Sequence, residues 1–392
     1  MSVWDALVGQ PGVVEQLRRA VADARLAERG RPAPAMTHAW LVTGPPGSGR
    51  SVAATAFAAA LVCPADGCGV CEQCHKVPLG AHVDVEVVRP DRLSYGVEAA
   101  RELVLGAARM PADGPWHVMV VEDADRMTPE AVSALLKAIE EPTPRTVWLL
   151  CAPSAEDVLP TIRSRTRQVL LRTPSAAEVA AALVTGDGVD PQTASFAARA
   201  SQGHIGRARA LALDERVRAR RIEVLRVPAR LRDVPSCFAA AADLLAAATD
   251  DASSITDALD AAEHSALLRS YGEGAEGVTA ARVARLARAA TKELTERQRS
   301  RRTRTVRDQV DRALLDLLAF YRDVLVLQTG GSVALVNEEL RAQLSSSAGD
   351  GTATETVRRM EAVAQARLAL EKNVAPLLAL EAMCVGLFAP AA

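Results

Sequence analysis

Aromatic residues make up only 3% of this chain, while alanine and leucine abound, a balance that points to a helix-rich protein. Charge of one sign is also missing. The 46 Lys and Arg against 48 Asp and Glu leave a net charge of −2, so no global basic field advertises nucleic acid and any DNA contact must come from a local patch. No apolar run approaches the roughly 20 residues that span a bilayer, and the sequence opens without a signal-peptide pattern. A soluble, cytoplasmic protein is expected. Hydrophobic residues at 49% exclude a disordered chain, and 392 residues suffice for two or three domains. No spacing suggests a Ser-His-Asp or Cys-His nucleophile, and there is no internal repeat.

What is present is a phosphate-binding loop. Gly44-Pro45-Pro46-Gly47-Ser48-Gly49-Arg50-Ser51 meets the pattern G-x-x-x-x-G-K-[ST] except at the lysine, where Arg50 stands. Glycines let the backbone aim N–H groups at a phosphate, a following helix N-terminus adds favourable partial charge, and Ser51 is placed to ligate Mg²⁺. Lysine is a compact point charge, whereas arginine is planar and bulkier, so the exchange is not conservative. The loop signals nucleotide binding more clearly than turnover.

Short apolar runs at 40–43, 83–88, 117–121, 146–151 and 168–171 alternate with helical patterns at 51–61, 97–108 and 129–139. That alternation predicts a five-stranded parallel sheet covered by helices on both faces. After Thr173-Pro174 the strand signal fades. Ser175 with Glu178 three residues on is a capping box, opening three short helices at 176–184, 191–201 and 205–213. From about residue 215 to the end the pattern is helical, with breaks expected at 271–277, 330–331 and 345–351 and about five helices in all. The strand at 117–121 runs into Glu122-Asp123, and a carboxylate at a strand tip beside a phosphate loop is where nucleoside triphosphatases hold Mg²⁺ and activate water.

Four of the seven cysteines, Cys63, Cys68, Cys71 and Cys74, fall within twelve residues. Thiolates at such spacing converge on one metal, and Zn²⁺ in a closed, structural tetrahedral site suits them. An iron–sulfur cluster is the rival, although the closing C-x₃-C-P of that motif is missing; free thiols are the bland alternative. His75, beside Cys74, is a spare ligand. Cys151, Cys237 and Cys384 sit in apolar surroundings and read as core.

Taken together, Val8-Gly9-Gln10, the loop 44–51, the cysteines, Asp123-Ala124-Asp125-Arg126, Leu135-Leu136-Lys137 through Glu141-Pro142, Ser164-Arg165 and Asn373-Val374 with Leu378-Ala379-Leu380-Glu381 resemble the delta-prime family of bacterial DNA polymerase III clamp-loader subunits, a branch of the AAA+ class. The resemblance implies a RecA-like AAA+ module with an embedded zinc module (1–173), a helical lid (174–214) and an all-α collar (215–392). It implies a stator role in DNA replication. Partners would be gamma/tau and delta subunits in a hetero-pentamer, the beta sliding clamp and primer–template DNA. Ser164 and Arg165 would form an arginine finger acting in trans on a neighbour's ATP site. Gly44, Gly47, Gly49, Arg50, Ser51, Glu122, Asp123 and Arg207 would form a degenerate nucleotide site, with ATP and Mg²⁺ bound or lost. Arg50, the order Glu122-Asp123 and Ala152 in a polar sensor position all depart from the motor pattern, and Thr166 replaces the usual cysteine of the finger motif.

Two rivals follow: a gamma/tau-type motor that hydrolyses ATP, and a free-standing zinc-containing DNA-binding protein. The basic run 297–304 lacks interleaved aromatics and reads as an ordinary solvated helix. Arg101 and Arg109 lie where the family tracks the DNA backbone, and surface salt bridges are the plainer expectation for them.

Overall fold

The computed structural model describes residues 2–90, 94–273 and 279–388. The chain forms two compact units, Met1–Leu213 and Asp214–Ala392.

In the first unit five parallel strands, β1 (Ala39–Thr43), β2 (Val85–Val88), β3 (His117–Val121), β4 (Thr146–Ala152) and β5 (Arg167–Leu170), lie in the order β2-β3-β4-β1-β5. Side chains alternate across a strand, so each central strand feeds two cores. Trp40, Val42, Val120 and Leu149 pack with Leu17, Phe57 and Leu61 of helices α1 (Pro11–Glu28) and α2 (Arg50–Val62). Leu41, Met119, Trp148 and Leu150 pack on the opposite face with Leu103, Leu135, Ile139 and Ile162. Those residues belong to α4 (Val97–Ala107), α5 (Pro129–Glu140) and α6 (Pro160–Arg163); the short α3 (Glu72–Lys76) carries Cys74 and has Cys71 as its N-cap. Burial on both faces explains why these strands read as continuous apolar runs rather than alternating ones.

Three helices complete the unit: α7 (Ala176–Asp187), α8 (Pro191–Ser201) and α9 (Ile205–Leu213). The Ser175 capping box is formed, with Glu178 N–H donating to Ser175 Oγ at 3.3 Å and Ser175 N–H donating to Glu178 at 2.8 Å. Two glycines let these helices reach the sheet. Gly203 has φ +88° and a Cβ there would stand 2.2 Å from Thr173 Cγ2; Gly47 has φ +86° and its Cβ would stand 2.6 Å from His204 Cβ.

Among the described residues the regular elements of the second unit are all helices: α10 (Glu215–Arg230), α11 (Val234–Ser270), α12 (Ala280–Gln328), α13 (Arg341–Gly349), α14 (Ala353–Glu371) and α15 (Pro376–Phe388), with a short helical turn at Glu338–Leu340. Among the described residues that is six helices where about five were expected. The uncounted breaks are at 231–233, where Asp233 caps α11 through Ser236, and before Pro376. Residues 345–349, expected as a break, continue α13, which Leu344 anchors by full burial; the turn begins at Asp350. The break expected at 271–277 is a turn as far as Glu273, and 274–277 lie outside the described residues.

Leu225, Cys237, Leu314, Phe320, Val363 and Leu380 share one core. Inside it Arg221 donates to Asp316 at 3.0 Å, to Glu339 at 3.0 Å and to Asn337 Oδ1. Asp323, fully buried, accepts from Val336 N–H, Asn337 N–H and Asn337 Nδ2 at 3.1, 2.7 and 2.9 Å. α11 and α12 run antiparallel and are joined by ion pairs from Arg301 to Asp260 and Glu263 and from Arg302 to Asp257. No helix among the described residues is long and apolar enough to cross a membrane.

Candidate functional site

The carboxyl ends of β1, β3 and β4 bring the nucleotide-type residues together. Gly44, Gly47 and Gly49 all have positive φ, and Gly49 hands the chain directly into α2, whose first residues are Arg50 and Ser51. The loop is tied to the next strand by Gly44 N–H donating to Pro153 O at 3.1 Å. Gln10 braces it from behind: its Nε2 donates to Arg172 O at 2.6 Å, and its Oε1 accepts from Arg172 N–H at 3.2 Å. Two buried polar atoms at the loop, Ser48 Oγ and Arg50 Nη1, have no protein partner. Orphaned donors at a helix N-terminus are what an anionic ligand would satisfy.

Cys151 reports how close the charges are. Burial pushes its thiol up to about 12, and it senses Glu122, Arg50 and Asp123. Asp125 is likewise raised by burial, with Asp123 adding to the shift and Arg50 opposing it. Arg50 therefore lies among the acidic residues at the strand tips. Ala152 ends β4, fully buried, and offers no polar group.

The Glu122 carboxylate is already engaged. Arg89, one residue past β2, donates from Nε to Oε2 at 2.8 Å and from Nη2 to Oε1 at 3.1 Å. Tyr95, buried, clamps the same two strand ends by donating to Glu122 O at 2.7 Å and Val88 O at 3.2 Å. Neither Arg89 nor Tyr95 was marked by the sequence reading. The available signal was position, since a residue after β2 in this strand order stands beside the tip of β3. Asp123 adopts the left-handed conformation at φ +50°, which turns the chain into the short Ala124–Arg126 helical turn.

Arg207 lies in the first turn of α9, nearly buried, and its N–H donates to His204 Nδ1 at 3.2 Å. His204 is thus fixed on Gly47 of the phosphate loop. Ser164 and Arg165 lie elsewhere, at the end of α6. Arg165 donates from Nε to Glu140, and from Nη1 to Thr161 O at 2.8 Å and Ser164 Oγ at 3.1 Å. Its side chain keeps 38% exposure. Thr166 Oγ1 donates to Ile162 O and Arg163 O, both at 3.2 Å, contacts within the α6 turn.

Arg101 is exposed on α4 with no ion pair among the described residues, contrary to the salt bridge expected for it; Arg109 reaches Glu86 only at 4.0 Å.

The four cysteines converge. Sulfur atoms of Cys63, Cys68, Cys71 and Cys74 all lie within 4.8 Å of one another, with Cys63 at 3.7 Å from Cys68 and 3.6 Å from Cys71. Metal–sulfur bonds of about 2.3 Å in a tetrahedron set sulfurs about 3.8 Å apart, so the geometry fits a closed Cys₄ metal site. Backbone N–H groups of Val70 and Cys71 draw the Cys68 thiol down to about 7, while burial pushes Cys71 and Cys74 up. The cluster is wedged under the start of the chain: Val3 N–H donates to Gly67 O at 3.1 Å, and Trp4 Nε1 to Asp66 O at 3.1 Å. Arg25 caps the C-terminus of α2 through Ala60 O at 3.2 Å and Cys63 O. His75 is exposed and outside the cluster.

Comparison with known proteins matches residues 16–175 to the family described as DNA polymerase III, delta subunit. The chain is 37% identical over 142 residues to DNA polymerase III subunit gamma/tau of Mycobacterium tuberculosis, covering 35% of this chain and 25% of that protein. It is 36% identical over 146 residues to DNA polymerase III subunit delta' of Pseudomonas aeruginosa, covering 36% and 44%. The chain thus spans less than half the length of the curated relatives it matches. Among solved structures, a DNA polymerase III gamma subunit-related protein from Thermotoga maritima aligns over 93% of this chain and 98% of that one, at 15% identity and a TM-score of 0.40.

Proposed function

We propose, from the match of residues 16–175 to the family described as DNA polymerase III, delta subunit, and from the similarity to a delta' subunit, that this chain is the delta-prime type of clamp-loader subunit, a stator that does not hydrolyse ATP itself. The observation that carries this reading is Glu122. In the order Glu122-Asp123 the shorter Asp123 stands where a longer carboxylate should polarise water, and Glu122, at the place that would hold Mg²⁺, is engaged by two hydrogen bonds from Arg89. Arg50 in place of lysine and Ala152 in place of a polar sensor support the same conclusion.

The three-part division into nucleotide-binding-type module, lid and collar belongs to this reading, as does a cytoplasmic location. So do the partners: gamma/tau and delta subunits, the beta sliding clamp and primer–template DNA. ATP with Mg²⁺ would have Gly44–Ser51 as its cradle; the orphaned Ser48 Oγ and Arg50 Nη1 fit a phosphate there. Zn²⁺ is the ion proposed for the four cysteines, where it would supply structure and no open coordination position. Arg165 would supply charge to a neighbouring subunit's ATP site, a contribution on the order of 10³–10⁵ in rate in other phosphoryl-transfer systems.

A gamma/tau-type motor is the second reading, favoured by the 37% identity to such a subunit. Steady-state ATPase of the purified chain separates the two. Background turnover is expected, and turnover that disappears on Arg50→Ala sinks the stator. For the finger, Arg165→Ala in a reconstituted loader is expected to slow DNA-stimulated hydrolysis while assembly persists; an unchanged rate refutes it.

A further inference from the structure

The antiparallel pair α11 and α12 carries an unexpected distribution of charge. The densest basic run, 297–304, is partly spent inside the hairpin: Arg301 pairs with Asp260 and Glu263, and Arg302 with Asp257. Other cations of the same helix are not spent. Arg285, Arg288, Lys292 and Arg299 are exposed, and none has a carboxylate partner among the described residues.

Helical geometry puts these four on one line. At 3.6 residues per turn they fall within a sector of about 60°, over an axial length of about 21 Å. The buried residues of the same stretch, Val283, Ala287 and Leu294, lie about 150° round the helix. The cations therefore form a stripe on the outer side, facing away from α11. Glu296 borders the stripe and Glu293 lies farther round. The exposed Leu286 sits about 130° from its centre, so the stripe contains no apolar anchor.

We propose that this stripe is a docking surface for the phosphate backbone of duplex nucleic acid. Charge complementarity selects an anionic polymer, and a duplex presents one negative charge per ~1.7 Å of axis, so several phosphates fall within reach of a stripe this long. Three of the four cations are arginines, whose planar donors match phosphate oxygens. A protein partner would need an aromatic or apolar anchor at the centre of its footprint, and a single strand would need aromatic platforms; the stripe has neither. The inference stands apart from the nucleotide site and from Arg165.

The test uses the full chain and a fluorescent duplex of about 20 base pairs, followed by anisotropy across a salt series. The variant Arg285→Gln/Arg288→Gln/Lys292→Gln/Arg299→Gln keeps good helix formers in place, and circular dichroism checks its fold. Its plot of log affinity against log salt is expected to be shallower by about 3 to 4, since each lost phosphate contact removes about 0.9. The charge-conserving variant Arg285→Lys/Arg288→Lys/Arg299→Lys is expected to retain the parental slope. Unchanged affinity and slope in the Gln variant overturn the proposal. So does tighter binding of single strand than duplex, or a loss confined to a polyglutamate probe. A shallower slope with intact Arg165-dependent hydrolysis upholds both readings, while a failed Arg165 test with a shallower slope removes the finger alone.

Discussion

Arg89 holds both carboxylate oxygens of Glu122, at 2.8 and 3.1 Å, across the ends of two neighbouring strands. Glu122 is nearly buried, so removing its partner leaves a poorly solvated negative charge. Arg89→Ala is expected to lower stability by about 1 to 2 kcal/mol, the lower part of the range for a buried charge because the arginine itself is largely exposed. Denaturant unfolding measures this. ATPase should stay at background in the same variant; a clear rise would mean that the ion pair alone restrains hydrolysis.

Gly203 and Thr173 give a cleaner steric test. Ala at 203 meets Thr173 Cγ2 at 2.2 Å and must also hold φ +88°. Overpacking costs about 1 to 3 kcal/mol and the left-handed backbone about 1 to 2 more. Thr173→Ser removes the clashing methyl, so Gly203→Ala/Thr173→Ser should recover the first part and not the second. Additive losses in the double variant would contradict the contact.

Glu178 governs an acid limb. The Arg172 guanidinium, with the Ser175 N–H and hydroxyl, holds its carboxyl at about 2 against an ordinary 4.5. The folded chain therefore binds this proton less readily than the unfolded one, and the associated stability is complete above pH 4.5 and lost as pH falls towards 2. In Glu178→Gln the fall in thermal midpoint across that window should be smaller. An identical acid profile would show that the pair is neutral to folding.

Metal removal should be visible at a distance from the thiols. Trp4 is buried and bonded to Asp66 O, in the loop between the first two cysteines. Chelation, or Cys71→Ser, is expected to release that loop and shift Trp4 emission to the red, with a Trp4→Phe chain as the silent control. Emission unchanged after loss of about one equivalent of metal would show that the loop keeps its shape unaided.

Local chemistry was the legible part of this molecule. The Ser175–Glu178 capping box, the phosphate loop and all five strands are written in contiguous residues, and the cysteines declare themselves by spacing. Arg89 on Glu122 joins residues 33 apart, and His204 on Gly47 joins the loop to the turn before α9; neither leaves a periodic trace. The helical second unit misled in a different way. Ser345-Ser346-Ser347 looks like a break, yet burial of Leu344 holds it helical, and the run 297–304 mixes the paired Arg301 and Arg302 with Arg299 of the quieter stripe.

The Arg221 cluster bears on how the long helices find one another. α11 presents Ala240, Ala241, Ala248 and Ala252 to its neighbours, a smooth surface along which a helix could slide by a turn with little change in apolar contact. Sliding α10 by one turn, about 5.4 Å, would take the guanidinium away from Asp316, Asn337 and Glu339 together and leave a buried charge unmatched. The polar cluster thus acts as a keyway: one arginine decides at which notch α10 stops against α12 and the 337–339 segment.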